Sequence, residues 1–149
     1  MQLNIEKGRP EDTPAIVRLL TDNGLPPDGL PDNPENVLVA RLGDRVVGSA
    51  ALEIYPDGAL LRSVAVEGRL RGSGIGHRIV RAALDLARQR GTASVYLLTT
   101  TAETFFPRFG FRRIARADVP AGVQTSVEFQ SACPVSAVVM VTDMSRMAQ

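Results

Sequence analysis

The segment Arg71-Gly72-Ser73-Gly74-Ile75-Gly76 constrains this chain more than any other. It stands between an apolar strand pattern, Ala59 to Val66, and a helix pattern that runs to about Arg90. Three alternate glycines strip side chains from the backbone where it turns. Several amides can then converge on one point, at the positive end of the helix dipole. One glycine suffices for a turn, so the others point to close approach by a ligand. The expected ligand is an anion, phosphate or pyrophosphate. A Walker loop ends in Gly-Lys-Ser/Thr, whereas Gly76 is followed by His77 and Arg78. A dinucleotide fingerprint needs G-x-G-x-x-G after the first strand of a βαβ unit, and here G-x-G-x-G follows several strands. Both nucleotide readings fail on spacing and context.

The elements around the bend follow from periodicity. Gln2 to Lys7 alternates as a strand. Pro10-Glu11-Asp12 opens a helix whose core face is Ile16, Val17, Leu19 and Leu20, and Asn23-Gly24 stops it. Leu25 to Glu35 is the most proline-rich stretch and predicts an irregular connection, read equally as a linker or as a binding loop. Asn36 to Leu42 and Val46 to Tyr55 form a hairpin around Gly43-Asp44-Arg45, and Ala59 to Val66 is a third strand. After the bend, Ile75, Ile79, Ala83, Leu86 and Ala87 share one helix face, and Gly91 closes the helix. Ser94 to Thr99 reads as a strand, Ala102 to Phe109 as a short helix, and a strand begins at Phe111. Residues near 120–132 read weakly as a helix and Ser136 to Val141 as a last strand. A meander feeding βαβ crossovers predicts an α/β fold, a mixed sheet flanked by helices. At 149 residues, one domain spanning 1–149 is expected.

Composition narrows the function classes. Seventeen basic residues against 16 acids give a net charge of +1, too little excess for a nucleic-acid binder. Aromatic residues are 5% with no Trp, so base-stacking surface is scarce. One cysteine and one histidine exclude an internal disulfide and a soft-ligand zinc site, so no metal is expected. No apolar run approaches the ~20 residues that span a bilayer. The opening MQLNIEKGRPED is too polar for a signal peptide, and a cytoplasmic protein is expected, with no membrane partner.

The run LLRSVAVEGRLRGSGIGHRIVRAALDLARQRG resembles the acetyl-CoA-binding core of the GCN5-related N-acetyltransferases, the GNAT superfamily. Arg71, Gly74 and Gly76 match that family's Arg/Gln-x-x-Gly-x-Gly/Ala pattern in register. The resemblance implies a GNAT-like acyl-CoA N-acyltransferase fold with acetyl-CoA as co-substrate. It implies that the amides of Gly72, Ser73, Gly74, Ile75 and Gly76, with Arg71, hold the pyrophosphate. Val64, Ala65 and Val66 would offer backbone groups to the pantetheine arm, the Val66 amide also serving the oxyanion. Arg62, Arg69, His77, Arg78 and Arg81 are close enough in sequence to add positive potential.

Thr99-Thr100-Thr101-Ala102 through Phe109-Gly110-Phe111 resembles the family's second cofactor-side motif, with Ala102, Gly110 and Phe111 matching. Thr99 stands where the family has Asn, and Phe106 where it has the Tyr that protonates the departing thiolate. Phenylalanine has no proton to give. Water, Ser73, Thr99, Tyr55 and Tyr96 are the substitutes the sequence offers, and a non-catalytic acyl-CoA sensor is the alternative reading. An acceptor amine must lose a proton before attack, usually to a carboxylate. Glu53 is the candidate base, on the strand ending at Tyr55; Glu67, Glu103 and Glu128 rank below it as turn or helix-surface acids.

LLRSVAV, LLTTTAETFFPRFGF and CPVSAVVM together resemble the arsenic-resistance branch of these enzymes. Cys133 is the one thiol, and a single thiol cannot chelate arsenic. The function expected is therefore transfer of acetyl to a primary amine of a small molecule, organoarsenicals included. Dimerisation is common in the resembled family, and nothing in the sequence fixes a homodimer.

Overall fold

Val37, Leu38, Val39 and Ala40 are all buried, so the strand that carries them is covered on both faces. That strand, β2 (Val37–Leu42), sits near the centre of one half of the sheet in a computed structural model describing residues 2–28, 30, 34–132, 134 and 136–144. Side chains alternate across a strand. Val37 and Val39 accordingly pack with Ile16, Leu19 and Leu20 of α1 (Thr13–Asp22). Leu38 and Ala40 pack on the opposite face with Ile75, Ile79 and Ala83 of α2 (Ile75–Gln89). The charged side chains of α2, Arg78, Arg81, Asp85 and Arg88, are exposed.

β1 (Leu3–Lys7), β2, β3 (Arg45–Tyr55) and β4 (Gly58–Val66) form an antiparallel meander. β5 (Ser94–Thr99), β6 (Arg112–Ile114) and β7 (Val138–Asp143) complete one seven-stranded sheet in the order β1-β2-β3-β4-β5-β7-β6. Every neighbouring pair is antiparallel except β4 with β5. The mixed sheet with helices on its faces is the fold class that the sequence predicts. At its outer edge, Arg41 of β2 bonds Glu6 at 2.7 Å and Asp12 at 2.8 Å, and that hydrogen bond holds the Asp12 carboxyl below its usual range. Among the described residues no helix is long and apolar enough to cross a membrane.

The parallel pair is short. Ala59 pairs with Val95 and Leu60 with Tyr96, and there the pairing stops. β4 continues along β3 to Val66, while β5 continues along β7 to Thr99. The two strands therefore part in the middle of the sheet. The cause lies in β4: Ser49 stands opposite Ala65 and Ala51 opposite Arg62, so β4 carries one extra residue. A bulge of this kind bends and twists its strand. Ser63 takes the strain with φ of 60°, and the Ser49 hydroxyl donates to its carbonyl at 2.7 Å.

Three local expectations change. Residues 102–109 form a turn and a single tight helical turn, Phe106–Phe109, because Pro107 and the left-handed Gly110 (φ 88°) leave no room for more. The weak helix near 120–132 is only α3 (Ala121–Gln124), followed by a separate wide turn at Glu128–Ala132. Ser126 separates them, its hydroxyl taking the Glu128 amide at 3.2 Å in place of a helical carbonyl. The last strand begins two residues later than the apolar run suggests.

Candidate active site

The parting of β4 and β5 opens a cavity of about 890 Å³. Its walls are the free edge of β4 from Leu61 to Val66, the end of β5 with Thr99, Thr100 and Thr101, the glycine bend, and the aromatic turn with Phe105 and Phe106. Asn23, Gly24, Leu25 and Pro26, where α1 ends, close one side, so the proline-rich connection contributes to the binding wall. Residues 29 and 31–33 of that connection lie outside the described residues.

At the glycine bend, Gly72 and Gly74 have φ of 85° and 89°, a region side chains rarely adopt. Turning thus accounts for two glycines, more than the single one the sequence suggests. Gly76 is different: its φ is ordinary, and an added Cβ would meet Phe105 at 3.6 Å and Val66 at 3.7 Å, both normal contacts. Among the described residues nothing demands glycine there, yet Gly76 lines the cavity, as close approach by a ligand requires. The Arg78 amide bonds the Gly74 carbonyl at 3.1 Å, starting the ladder of α2. The amides of Gly74, Ile75, Gly76 and His77 have no partner within the helix and carry its positive end. The Arg71 guanidinium bonds the Asn23 side chain and ties the bend to the end of α1.

Of the residues expected to bind the acyl-CoA, Val64, Ala65, Val66, Arg71, Gly72, Gly74, Gly76, Thr99 and Phe106 all line the cavity. Ser73 and Ile75 do not; the Ser73 hydroxyl turns back to the Leu70 carbonyl, and Ile75 is buried in the core. Phe106 packs edge-on against Phe105 and Phe111, with ring centres 5.2 and 5.7 Å away. Among the substitutes for the missing tyrosine, only Thr99 borders the cavity. Its oxygen accepts the Ala102 amide at 2.9 Å, which leaves its hydrogen free to be donated. Tyr55 donates instead to Glu53, and Tyr96 packs beneath α3 among Leu60, Val119 and Val123.

The opposite end of the cavity holds charge the sequence misplaces. Arg62, expected to favour a polyphosphate, has a side chain with 0% exposure and faces two acids. Its guanidinium bonds Glu53 at 2.9 Å and lies 3.4 Å from Glu128, whose side chain is only 6% exposed. Arg62 also donates to the carbonyls of Pro26 at 3.2 Å and Asp28 at 2.6 Å. Glu53 sits behind this arginine, held by it and by the Tyr55 hydroxyl, and does not line the cavity; Glu128 does. Burial, reinforced by the bond to Glu53, pushes the Tyr55 hydroxyl up to about 12. Glu128 is thus no helix-surface acid. The one sequence signal for it is indirect: Arg62 interrupts the apolar run of β4, and an arginine buried in a central strand requires carboxylates brought from elsewhere.

Among the described residues, no group of three or more His, Cys, Asp or Glu is placed to hold a metal ion. Cys133 lies outside the described residues.

Residues 33–113, the hairpin through the bend to β6, match the acetyltransferase (GNAT) domain. The chain belongs to this family of acetyl-CoA-dependent N-acetyltransferases. It is 41% identical over 80 residues to an amino-acid acetyltransferase of Mycobacterium tuberculosis, a match covering 53% of this chain and 45% of that protein. The chain therefore spans less than half the length of this relative. It is also similar to the crystal structure of Rv2747 from Mycobacterium tuberculosis in complex with CoA and NLQ, with 28% identity and a TM-score of 0.76 over 94% of this chain and 98% of that one. The fold alone is shared with the N-acetylglutamate synthase of Neisseria gonorrhoeae complexed with coenzyme A and N-acetyl-glutamate, at 18% identity, a TM-score of 0.79, and coverage of 97% of this chain and 35% of that chain. Acetyl-CoA is the family's co-substrate, and the residues present fit it. Among the described residues, the amides of Gly74 to His77 at the start of α2 have no partner within the helix and suit a pyrophosphate, and the edge of β4 beyond Leu60 is unpaired and suits an amide-bearing arm.

Proposed function

We propose that this chain transfers acetyl to the amino group of a small amino acid, in the cytoplasm. One observation carries the acceptor class: a buried carboxylate, Glu128, lines the cavity beside the Arg62–Glu53 pair. A carboxylate at a cavity wall of low dielectric accepts charge-assisted hydrogen bonds from an ammonium group. An amino-acid acceptor presents that group, and the M. tuberculosis relative is described as an amino-acid acetyltransferase.

When bound, acetyl-CoA supplies a thioester whose acyl carbon is open to an amine. The chain's residues bind, orient and move the proton. The amides of Gly74 and Gly76 and the side chain of Arg71 hold the phosphates, and Val64 to Val66 present backbone groups to the pantetheine arm. Glu128 pairs with the acceptor ammonium and takes its proton as general base, the role that Glu53, screened behind Arg62, is poorly placed to fill. The Thr99 hydroxyl is the proton donor available on the thiol side, while Phe106 shapes the wall without donating.

The test is a thiol-release assay with acetyl-CoA and a panel of amino acids, with product masses measured. Arsenic-bearing amino acids form one arm, because the narrower sequence resemblance points to them. Acetylation of at least one amino acid is expected. Turnover of peptide or protein amines alone would overturn the acceptor class, and no turnover of any amine would overturn the reading as a whole.

A further inference from the structure

Arg62 touches more of the acceptor end than any proton-transfer role requires. Its guanidinium and Nε reach Glu53 on β3, Glu128 after α3, the Ser63 hydroxyl at the bulge, and the carbonyls of Pro26 and Asp28 beyond α1. Those partners come from four separate stretches of chain. Leu25 and Pro26 line the cavity; α1 holds the wall at its start, where the Leu25 amide bonds the Leu20 carbonyl at 2.9 Å, and the two carbonyl bonds to Arg62 fix it beyond. Glu53 in turn is fixed by the Tyr55 hydroxyl, which anchors the arginine from behind.

We infer that Arg62 is the positioning residue of the acceptor site, fastening the Leu25–Asp28 wall and the Glu128 carboxylate to the bulged strand so that an acceptor amine is held in line. This rests on the reading that the Glu128 end receives the acceptor. The guanidinium is suited to the task because it is a planar fork of five fixed donors. A lysine keeps the charge but has three donors on one atom and cannot reach partners on both sides of the strand. The glycine bend makes none of these contacts itself, and its tie to this wall is the separate bond from Arg71 to Asn23.

The test uses R62K and E53Q in the full chain, with two readouts. In kinetics with an amino acid that the protein acetylates, R62K raises the acceptor KM about tenfold or more, and E53Q raises it by about threefold, while the acetyl-CoA KM stays within about twofold. In hydrogen exchange, the amides of Leu25 and Asp28, which flank the two prolines, exchange about tenfold faster in R62K, with CoA affinity by calorimetry unchanged. Equal rises in both KM values, or unchanged exchange at Leu25 and Asp28 in both variants, would overturn the assignment. If R62K does not fold, E53Q carries the same comparison with the arginine in place. Should the wild-type protein acetylate no amino acid, the proposed acceptor class fails, and the exchange experiment with CoA still decides the role of Arg62.

Discussion

The two ends of the cavity are built by opposite strategies. The proposed acetyl-CoA end is mostly backbone: amides at one bend and one strand edge, with the side chain of Arg71, all within Val64 to Gly76. The proposed acceptor end is side chains: Arg62, Glu53 and Glu128, with Pro26 and Asp28 carbonyls, gathered from stretches as far apart as Pro26 and Glu128. Backbone recognition needs glycine and a helix start, which are local. Buried charge needs partners, which only folding supplies. The first suits a co-substrate common to a family, and the second suits an acceptor that differs among its members.

Four substitutions would break or sharpen this contrast. The largest effect is expected for E128Q, which keeps the shape of the side chain but cannot accept a proton. Its kcat should fall by ~10²–10⁴ with CoA affinity unchanged by calorimetry, and equal kcat would remove Glu128 from proton transfer. Gly74→Val acts on the other end only. A β-branched residue at φ of 89° is strained by about 1–3 kcal/mol, so acetyl-CoA affinity should fall ~10–100-fold, measured by thermal shift against ligand concentration. Normal affinity would mean that the bend does not hold the phosphates.

Gly76→Ala separates folding from binding at a single atom. The chain has room for the methyl group, and alanine in a helix is favoured over glycine by roughly 0.5–1 kcal/mol, so the melting temperature should rise. Acetyl-CoA affinity should nonetheless drop by about tenfold if a ligand occupies the space against Gly76. A variant that is more stable and binds normally would assign this glycine no contact with the ligand.

The smallest effect is expected from Y55F, at alkaline pH. The Tyr55 hydroxyl, pushed up to about 12, stays protonated in the folded protein where an unfolded tyrosine ionises near 10. Its folded pKa is the higher one, so its contribution is fully present below pH ~10 and is lost as pH rises toward ~12. Denaturant titrations should show this alkaline loss in the wild type and less of it in Y55F. An identical pH profile would disconnect Tyr55 from the Glu53–Arg62 cluster.

Much of this protein is written locally. Alternation set the meander, 3.6-residue periodicity set α2, and the glycine spacing set a tight bend whose Arg71, Gly74 and Gly76 line the cavity. Each depends on residues a few positions apart. Where a local pattern failed, a single residue's chemistry intervened: Pro107 shortened the turn at Phe106–Phe109, and the Ser126 hydroxyl divided the stretch from Ala121 to Ala132. The extra residue in β4 left no mark in the apolar run LLRSVAV, because a bulge shows in the register between strands and not in hydrophobicity.

By itself, then, the sequence determined the sheet-and-helix order, the glycine bend, and the absence of enough cysteine and histidine for soft-metal or disulfide chemistry. The tertiary structure alone decided that β4 and β5 part after two pairs. It also paired Arg62, read from sequence as a partner for polyphosphate, with two carboxylates, and brought Glu128 from a weakly helical stretch to the cavity wall. The physical reason is the range of the forces involved. Backbone conformation and helix ends are set by neighbours in sequence, whereas a buried charge is stable only among partners that sequence distance conceals.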